Sequence, residues 1–183
     1  MTSPDPALAE LLNSRIRDVP DYPKPGVLFK DIAPLLADAE AFAALTQALA
    51  DRAKALGATK VVGLEARGFV LAAPAAFAAG LGFVPIRKAG KLPGEVFRKS
   101  YDLEYGSATL EVQCDAFAPG EKVLVVDDVL ATGGTIGASV DLVRQAGVEL
   151  VGVVVLMELG FLPGRERLVP HLGGAPLETL VTV

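Results

Sequence analysis

The sequence predicts an α/β fold in which helices flank a mainly parallel central sheet. Two runs rich in Val and Leu, at 60–64 and 123–126, each end in a polar turn. Runs that do not alternate between apolar and polar residues are typical of strands buried on both faces, as in parallel sheets. Segments of helical character separate these runs. Strands that alternate with helices predict a sheet covered on both faces, with about five strands by the usual sheet size.

The composition indicates a compact folded protein. Of its 183 residues, 51% are hydrophobic, and the mean hydropathy is +0.44, which argues against disorder. We expect one domain spanning residues 1–183. The net charge of −5 leaves no general basic surface for nucleic acid. The lone cysteine, Cys114, and an N-terminal segment with acids where a signal peptide needs basic residues predict a cytoplasmic protein.

The first third of the chain predicts two helices and a strand. A short amphipathic helix is expected over Ala7–Arg17, before the turn-rich sequence DVPDYPKPG. An Ala-rich helix over Glu40–Leu56 then leads to the strand Lys60–Leu64.

The uncharged segment Phe69–Ile86 is nearly long enough to cross a bilayer, so a membrane span is one interpretation. Several helix breakers, among them Pro74 and Gly80, interrupt it. We therefore expect a buried helix that ends at Gly80, followed by a short strand over Phe83–Ile86, and no contact with a membrane.

The second half of the chain begins with a segment of different character. Leu92–Gln113 mixes charges, aromatics and alternating residues, which is typical of a long flap or hairpin. A helix over Gly134–Ala146 and a buried strand over Leu150–Leu156 follow. The tail after Leu168 is rich in Pro and Gly, and we expect its lone His171 to lie at the surface or in a loop, without a catalytic role.

The most informative stretch is Val123–Ser139, VLVVDDVLATGGTIGAS. Its strand should bring Asp127 and Asp128 to the carboxyl edge of the sheet, where ligands bind in open α/β folds. The turn at 131–135 offers free backbone N–H groups and hydroxyls at a helix N-terminus, which suits a phosphate. The carboxylates would then accept hydrogen bonds from a group attached to that phosphate, and a ribose diol fits. The alternative is a helix-capping pair followed by a tight turn.

Basic residues occur at two further places. Arg67 follows the strand Lys60–Leu64, so it should stand at the same edge and could bind a pyrophosphate through paired N–H groups. The alternative is a surface salt bridge to Glu65 or another acid. A second segment carries five basic residues against one acid, Glu95, and this enrichment predicts an anion site: Arg87, Lys88, Lys91, Arg98 and Lys99. For the last two, charge on a solvated flap is the alternative.

The junction at 123–139 resembles the signature of the type I phosphoribosyltransferases, and it lacks the patterns of a P-loop or a Rossmann site. With the other motifs the resemblance narrows to the adenine phosphoribosyltransferase family and covers nearly the whole chain. GLEARGF is similar to that family's pyrophosphate loop, IRKAGKLPG to its second basic loop, SYDLEYG to its catalytic flap, PKPGVLFKDI to its base-binding hood and GRERL to its C-terminal end.

The resemblance implies the type I phosphoribosyltransferase fold, with a small hood from about residues 20–35 and the C-terminal segment, and a flexible catalytic flap over about 92–113. It implies transfer of a phosphoribosyl group from phosphoribosyl pyrophosphate to adenine, which gives AMP and pyrophosphate in purine salvage. It also implies a homodimer, and Mg²⁺ held mainly through substrate oxygens rather than by protein ligands.

The resemblance further assigns roles to individual residues. Glu104 is implied as the acid/base for the purine, with Tyr105 helping to close the site. Catalytic contributions are also implied for Arg67, Asp127 and Asp128. The 5-phosphate would be held by Ala131, Thr132, Gly133, Gly134 and Thr135, and the ribose hydroxyls by Asp127 and Asp128. The departing pyrophosphate would be neutralised by Arg67, Arg87, Lys88 and Lys91. Adenine would meet the main chain of Leu28 and Lys30, the ring of Phe29, and the side chains of Val129 and Leu159. For Phe29 the alternative is a core aromatic.

Two other functions stay open on the sequence. A phosphoribosyltransferase for a 6-oxopurine such as xanthine or guanine would need a side-chain donor for the exocyclic oxygen. A non-catalytic regulator of the same fold would need a basic face or an extension for nucleic acid, and this acidic chain has room for neither.

Overall fold

The structure is a computed structural model that describes residues 5–103 and 106–183. In chain order its elements are α1 (Pro6–Ser14), β1 (Arg17–Pro20), β2 (Leu28–Asp31), α2 (Ala33–Ala37), α3 (Ala39–Ala55), β3 (Lys60–Leu64), α4 (Arg67–Ala79), β4 (Gly82–Lys88), β5 (Val96–Leu103), β6 (Gly106–Gln113), β7 (Lys122–Leu130), α5 (Gly134–Gln145), β8 (Glu149–Glu158), α6 (Gly164–Leu172) and β9 (Leu177–Thr182).

The central sheet has seven strands in the order β5-β6-β4-β3-β7-β8-β9. Within this order the five neighbouring strands β4, β3, β7, β8 and β9 are parallel to one another. Of the two strands from the predicted flap, β6 pairs with β4 and β5 pairs with β6, both in antiparallel fashion. The α/β class with a mainly parallel sheet is therefore confirmed, and the flap hairpin extends that sheet beyond the expected five strands.

The sheet separates two apolar cores. Val61 and Leu124 pack on the side covered by α3 and α4. Their chain neighbours Val62 and Val125 pack on the side covered by α5 and α6. Since successive residues of a strand point to opposite faces, a strand between two cores needs apolar residues at every position. This is the reason for the unbroken Val and Leu runs of β3 and β7.

The uncharged segment Phe69–Ile86 forms most of α4 and β4, as expected. Gly80 caps α4 in the left-handed conformation, with φ of 74°, which a side chain would disfavour. Within the part of the chain that the structure describes, no helix has both the length and the apolar character needed to cross a membrane. The outer face of α4 leaves Val70 and Phe77 exposed, at 44% and 88% of their full surface.

The two ends of the chain depart from the sequence expectations. The first helix ends at Ser14, and Arg17 instead begins β1, which pairs with β2 in a separate two-stranded sheet. The tail after Leu168 is regular structure, because α6 continues to Leu172 and β9 follows. Pro170 inside α6 and the glycines after it obscured this helix in the sequence. His171 consequently lies in a helix rather than a loop, and its side chain, 41% exposed, is at the surface, the other expected position.

Candidate active site

A cavity of about 470 Å³ opens at the carboxyl ends of the parallel strands. Four parts of the chain meet there: the turn after β3, the end of β4, the end of β7 with the turn that follows it, and the flap strands β5 and β6. The lining residues are Glu65, Ala66, Arg67, Lys88, Tyr101, Ala108, Leu110, Asp127, Asp128, Val129, Ala131, Thr132, Gly133, Gly134, Thr135 and Ile136. The structure thus brings together the acidic pair (Asp127 and Asp128), the glycine turn (residues 131–135) and Arg67 after β3.

The two carboxylates lie within β7, which continues to Leu130 rather than ending before them. Asp127 and Asp128 are only 8% and 4% exposed. Asp127 Oδ1 accepts a hydrogen bond of 2.9 Å from the N–H of Asp128. Burial, and then the charge of Asp128, raise the pKa of Asp127 well above its ordinary value. Burial also raises the pKa of Asp128, although the nearby Arg67 opposes this.

Arg67 joins the acidic pair to the hood. Its guanidinium lies 2.8 Å from Asp128 Oδ2, in an ion pair without hydrogen-bond geometry, so this buried oxygen has no hydrogen-bond partner among the described residues. The same guanidinium covers the ring of Phe29, 4.9 Å from its centroid, and donates to the carbonyl of Lys30 at 3.4 Å. The sequence left open a surface salt bridge of Arg67 to Glu65 or another acid. The acid that Arg67 pairs with is Asp128, which is buried, and a bridge to Glu65 is not found among the described contacts.

Glu65 is the partner of the second basic loop, a role that the sequence did not reveal. Its carboxylate accepts hydrogen bonds from Arg87 Nε at 3.3 Å, from the N–H of Lys88 at 3.0 Å and from Lys91 Nζ. Burial acts to raise the pKa of Glu65, but the bonds from Lys91 and Lys88 outweigh it, and the pKa lies below its usual value. Glu65 is therefore a fixed negative charge that gathers the predicted cations beside the cavity.

The predicted phosphate cradle is a sharp turn that begins α5. Gly133 has a φ of 84° and α5 starts at Gly134 without a side-chain cap, which leaves N–H groups of the first helical turn for a ligand. The backbone of Gly164, the first residue of α6, packs against this turn. A Cβ atom on Gly164 would lie 2.1 Å from the carbonyl oxygen of Ala131, so only glycine permits this approach.

The start of α6 is fixed by a network that sequence reasoning missed. Arg165 Nε donates to both oxygens of Glu158, at 3.0 and 3.1 Å, and Thr179 donates to the same carboxylate at 3.0 Å. Glu158 is 9% exposed, and the next residue, Leu159, donates its N–H to the carbonyl of Leu130. Hydrogen bonds thereby connect β8, α6 and β9 next to the turn at 131–135.

The predicted adenine-binding residues surround the cavity only in part. Val129 lines it, whereas Leu28, Phe29, Lys30 and Leu159 do not. Phe29 is half-buried between Arg67 and Tyr22 and is outside both apolar cores, so the core-aromatic alternative is wrong. Arg87 and Lys91 also lie beside the cavity, on Glu65, rather than in its lining.

The flap contributes Tyr101, Ala108 and Leu110 to the lining. The two basic residues whose role was open each meet an acid. Arg98 donates to Glu111 at 2.7 Å, and Lys99 lies 2.8 Å from Asp141. Asp141 also bonds His171, at 3.2 Å. Glu104 and Tyr105, the predicted acid/base and its neighbour, lie outside the described residues.

Carboxylates, imidazoles and thiols do not converge on a metal anywhere in residues 5–103 and 106–183: no group of three or more His, Cys, Asp or Glu there could hold an ion. The expectation that Mg²⁺ is held mainly through substrate oxygens stays a prediction. Asp128 Oδ2, buried and without a hydrogen-bond partner, fits such a cation through a bound water or a substrate hydroxyl.

The sequence of this chain is similar to those of a known protein family. Residues 35–166 match the phosphoribosyl transferase domain family. An adenine phosphoribosyltransferase of Streptomyces coelicolor is 67% identical over 183 residues, 100% of both chains. The chain belongs to the adenine phosphoribosyltransferase family. A relative from Frankia casuarinae with the same name is 60% identical over 90% of this chain and 87% of its own.

Solved structures of the family agree with the fold. Adenine phosphoribosyltransferase from Rhodothermus marinus superposes with a TM-score of 0.90 at 45% identity, covering 98% of this chain and 100% of that one. The enzyme from Saccharomyces cerevisiae, solved with adenine and an imino-altritol bisphosphate, has a TM-score of 0.88 at 40% identity, over 95% and 98% of the two chains. The type I phosphoribosyltransferase fold is therefore confirmed.

The raised pKa of Asp127 predicts a stability effect with a definite pH dependence. At a pH below the pKa that Asp127 has in the unfolded chain, Asp127 is protonated in both the folded and the unfolded protein, so it does not lower the free energy of unfolding. As the pH rises from there through the raised pKa of Asp127 in the folded protein, the free energy of unfolding falls. Asp127→Asn should therefore raise the melting temperature at neutral pH by about 2–4 °C, the shift that about 1 kcal/mol causes in a domain of this size.

Calorimetry across a pH series measures this effect. The gain should shrink towards acid pH, and the exposed Asp51→Asn on α3 should show no such trend. A gain that is equally large at acid pH, or a loss at neutral pH, would contradict the assignment.

Proposed function

We propose that this chain transfers the phosphoribosyl group of 5-phospho-α-D-ribose 1-diphosphate to adenine, giving AMP and diphosphate. The observation that carries the proposal is the meeting of a buried carboxylate pair, Asp127 and Asp128, with the glycine turn 131–135 in one cavity. A turn that binds a phosphate and an acidic pair that accepts from hydroxyls together suit a sugar phosphate. Relatives up to 67% identical carry the matching name.

The donor would bind with its 5-phosphate on the turn and its ribose hydroxyls on the acidic pair. Residues 131–135 would hold the phosphate at the N-terminus of α5, and Asp127 and Asp128 would accept from the two hydroxyls. As the bond to diphosphate breaks, the sugar carbon gains positive charge. The negative charge of the pair, which Arg67 favours at Asp128, would stabilise that charge most in the transition state.

The diphosphate would be bound by Arg67, Arg87, Lys88 and Lys91. In the structure three of these cations pair with protein carboxylates. Arg67 pairs with Asp128, and Arg87 and Lys91 pair with Glu65. A diphosphate would exchange with or add to these partners, because a doubly charged phosphate group offers stronger charge-assisted hydrogen bonds. Mg²⁺, when bound through the diphosphate and ribose oxygens beside Asp127 and Asp128, would supply additional positive charge for the leaving group.

Adenine would enter between the hood and β7. Phe29 offers a ring face, which the Arg67 guanidinium covers at 4.9 Å from the ring centroid, so a base stacked on this face would displace the guanidinium. Main-chain groups at Leu28 and Lys30 would recognise the edge of the base, with Val129 and Leu159 as apolar walls. The side chain of Lys30 supports recognition by the main chain, because its ammonium group forms an ion pair with Asp18 at 2.7 Å.

Attack by N9 of neutral adenine requires the loss of a ring proton. Glu104, as the acid/base, would accept it, and Tyr105 would help to close the site. Both belong to the flap over about 92–113, for which we propose a flexible, closing role. The carboxylates of the acidic pair are committed to the ribose, so the proton needs a separate acceptor.

A substrate panel separates this proposal from its alternatives. Purified protein with the phosphoribosyl donor and Mg²⁺ is offered adenine, hypoxanthine, guanine or xanthine, and nucleotide formation is followed by chromatography. Adenine alone should give product at a high rate. Preference for an oxopurine would support the alternative transferase, and binding of the donor without any product would support a regulator.

We extend the proposal to a cytoplasmic homodimer built from one domain over residues 1–183, with the hood over about 20–35 and the C-terminal segment. The exposed Val70 and Phe77 on one face of α4 support self-association. A single free cysteine, Cys114, supports a reducing compartment. Light scattering of the purified protein measures the assembly, and a monomeric mass at micromolar concentration would contradict it.

The role of Glu104 yields a sharp kinetic prediction. Glu104→Gln keeps the shape but removes the proton acceptor, so the rate of AMP formation should fall by about two to four orders of magnitude, the usual span of general acid–base catalysis. Donor affinity, measured by calorimetry, should stay within a few-fold. A loss of less than about fivefold would mean that the proton is accepted elsewhere.

Gly164 provides a second prediction. In Gly164→Ala the new methyl group would lie 2.1 Å from the carbonyl of Ala131, so the turn must shift. We expect a fall in kcat/KM for the donor of more than about tenfold, because small displacements of binding groups cost large factors.

The matched control is Gly82→Ala, where the nearest atom to the new Cβ is 3.5 Å away on the flexible side chain of Lys60. Its kinetics should resemble those of the wild type. Equal kinetics for the two variants would show that the approach of α6 does not hold the turn in place.

A further inference from the structure

Tyr101 is a flap residue whose hydroxyl contacts the glycine turn at 131–135, the proposed site of the 5-phosphate and called the phosphate turn below. It lies on β5 opposite Ala108 of β6, and its half-buried ring packs against the core on the α5 side of the sheet. The hydroxyl of Thr135, in the first turn of α5, donates to the hydroxyl oxygen of Tyr101 at 3.2 Å. Both residues line the same cavity. A side chain from the flap therefore shares a hydrogen bond with a predicted phosphate-binding residue.

The position of this tyrosine is fixed by regular structure. Lys99, two residues earlier on β5 and so on the same face, forms a 2.8 Å ion pair with Asp141 in the body of α5. The strand is thus attached to α5 at two points, one at the N-terminus of the helix and one further along it. In the arrangement of the flap that the structure shows, the strand ladder and the helix contact hold the Tyr101 hydroxyl against the turn at 131–135.

We propose that Tyr101 is a binding residue for the 5-phosphate of the ribose 5-phosphate moiety, and this rests on the function proposed above. Because Thr135 donates to the tyrosine oxygen, the phenolic proton stays available for an acceptor in the cavity. A phosphate on the turn is such an acceptor, and a hydrogen bond to it is charge-assisted. The turn presents N–H groups from one side, and Tyr101 completes the cradle from the flap.

This role separates the two ends of the donor. The diphosphate lies with the basic loops around Glu65, and the 5-phosphate with the turn and Tyr101. Ribose 5-phosphate and inorganic diphosphate therefore probe the two halves of the site independently. Contact between the flap and the 5-phosphate also makes flap position depend on the donor rather than on the base.

Calorimetric titration of the full-length protein with each probe tests the proposal. Tyr101→Phe removes only the hydroxyl and keeps the ring in the core, so it should weaken ribose 5-phosphate binding by about tenfold, the effect of losing one hydrogen bond to a charged group. Diphosphate binding should stay within twofold of the wild type, a change within the ordinary effect of a surface substitution. Melting curves check that the variant is folded.

A second variant separates the hydroxyl from the ring. Tyr101→Leu removes both, so an equal loss in the two variants supports a role of the hydroxyl. The proposal is overturned if Tyr101→Phe binds ribose 5-phosphate like the wild type while Tyr101→Leu does not, since the ring then acts only by packing. It is also overturned if Tyr101→Phe weakens both probes equally.

Failure of the proposed function would look different. A wild-type protein that forms no AMP from adenine and the donor would remove the assigned reaction. The comparison of ribose 5-phosphate between the wild type and Tyr101→Phe would still decide whether this tyrosine binds the phosphate.

Discussion

The burial of two adjacent carboxylates at the end of β7 is the constraint on which the rest of the site depends. Ionised carboxylates tolerate such burial only with hydrogen bonds or opposite charge close by. Arg67 supplies the charge at 2.8 Å from Asp128, and it can do so because α4 begins directly beside the strand. Gly68 permits that approach, since a Cβ there would lie 2.7 Å from Asp127 Oδ1. The acidic pair thus determines how helix and strand pack.

A second consequence is that cations and carboxylates of the site pair with one another. Arg67 pairs with Asp128, while Arg87 and Lys91 pair with Glu65. A ligand competes with these internal partners, so its binding energy is the difference between two sets of ion pairs rather than the sum of new ones. A donor that carries both hydroxyls and phosphates would give new partners to both members of an ion pair: its hydroxyls to the carboxylates and its phosphates to the cations. A ligand with only one of these chemistries would leave a buried charge without its partner.

The sequence was sufficient for those features whose residues are close in the chain. The strand Lys60–Leu64 is as predicted, and the junction from the acidic pair to the start of α5 lies in the predicted cavity. The contacts of Glu65 with the second basic loop, and of Tyr101 with Thr135, join segments more than twenty residues apart. Periodicity and short motifs carry no information about such pairs, because the sheet order that brings them together is a property of the whole fold.

The C-terminal part shows how these distant contacts serve the site. One carboxylate, Glu158, is bound by Arg165 and Thr179, and this fixes the helix whose first residue, Gly164, supports the phosphate turn. The residue after Glu158 is Leu159, a proposed wall of the base site, and its N–H is bonded to β7. A displacement of this network would therefore move the phosphate turn and the base wall together. The distance between the sugar phosphate and the base in a bound state would then depend on Glu158, Arg165 and Thr179, none of which lines the cavity.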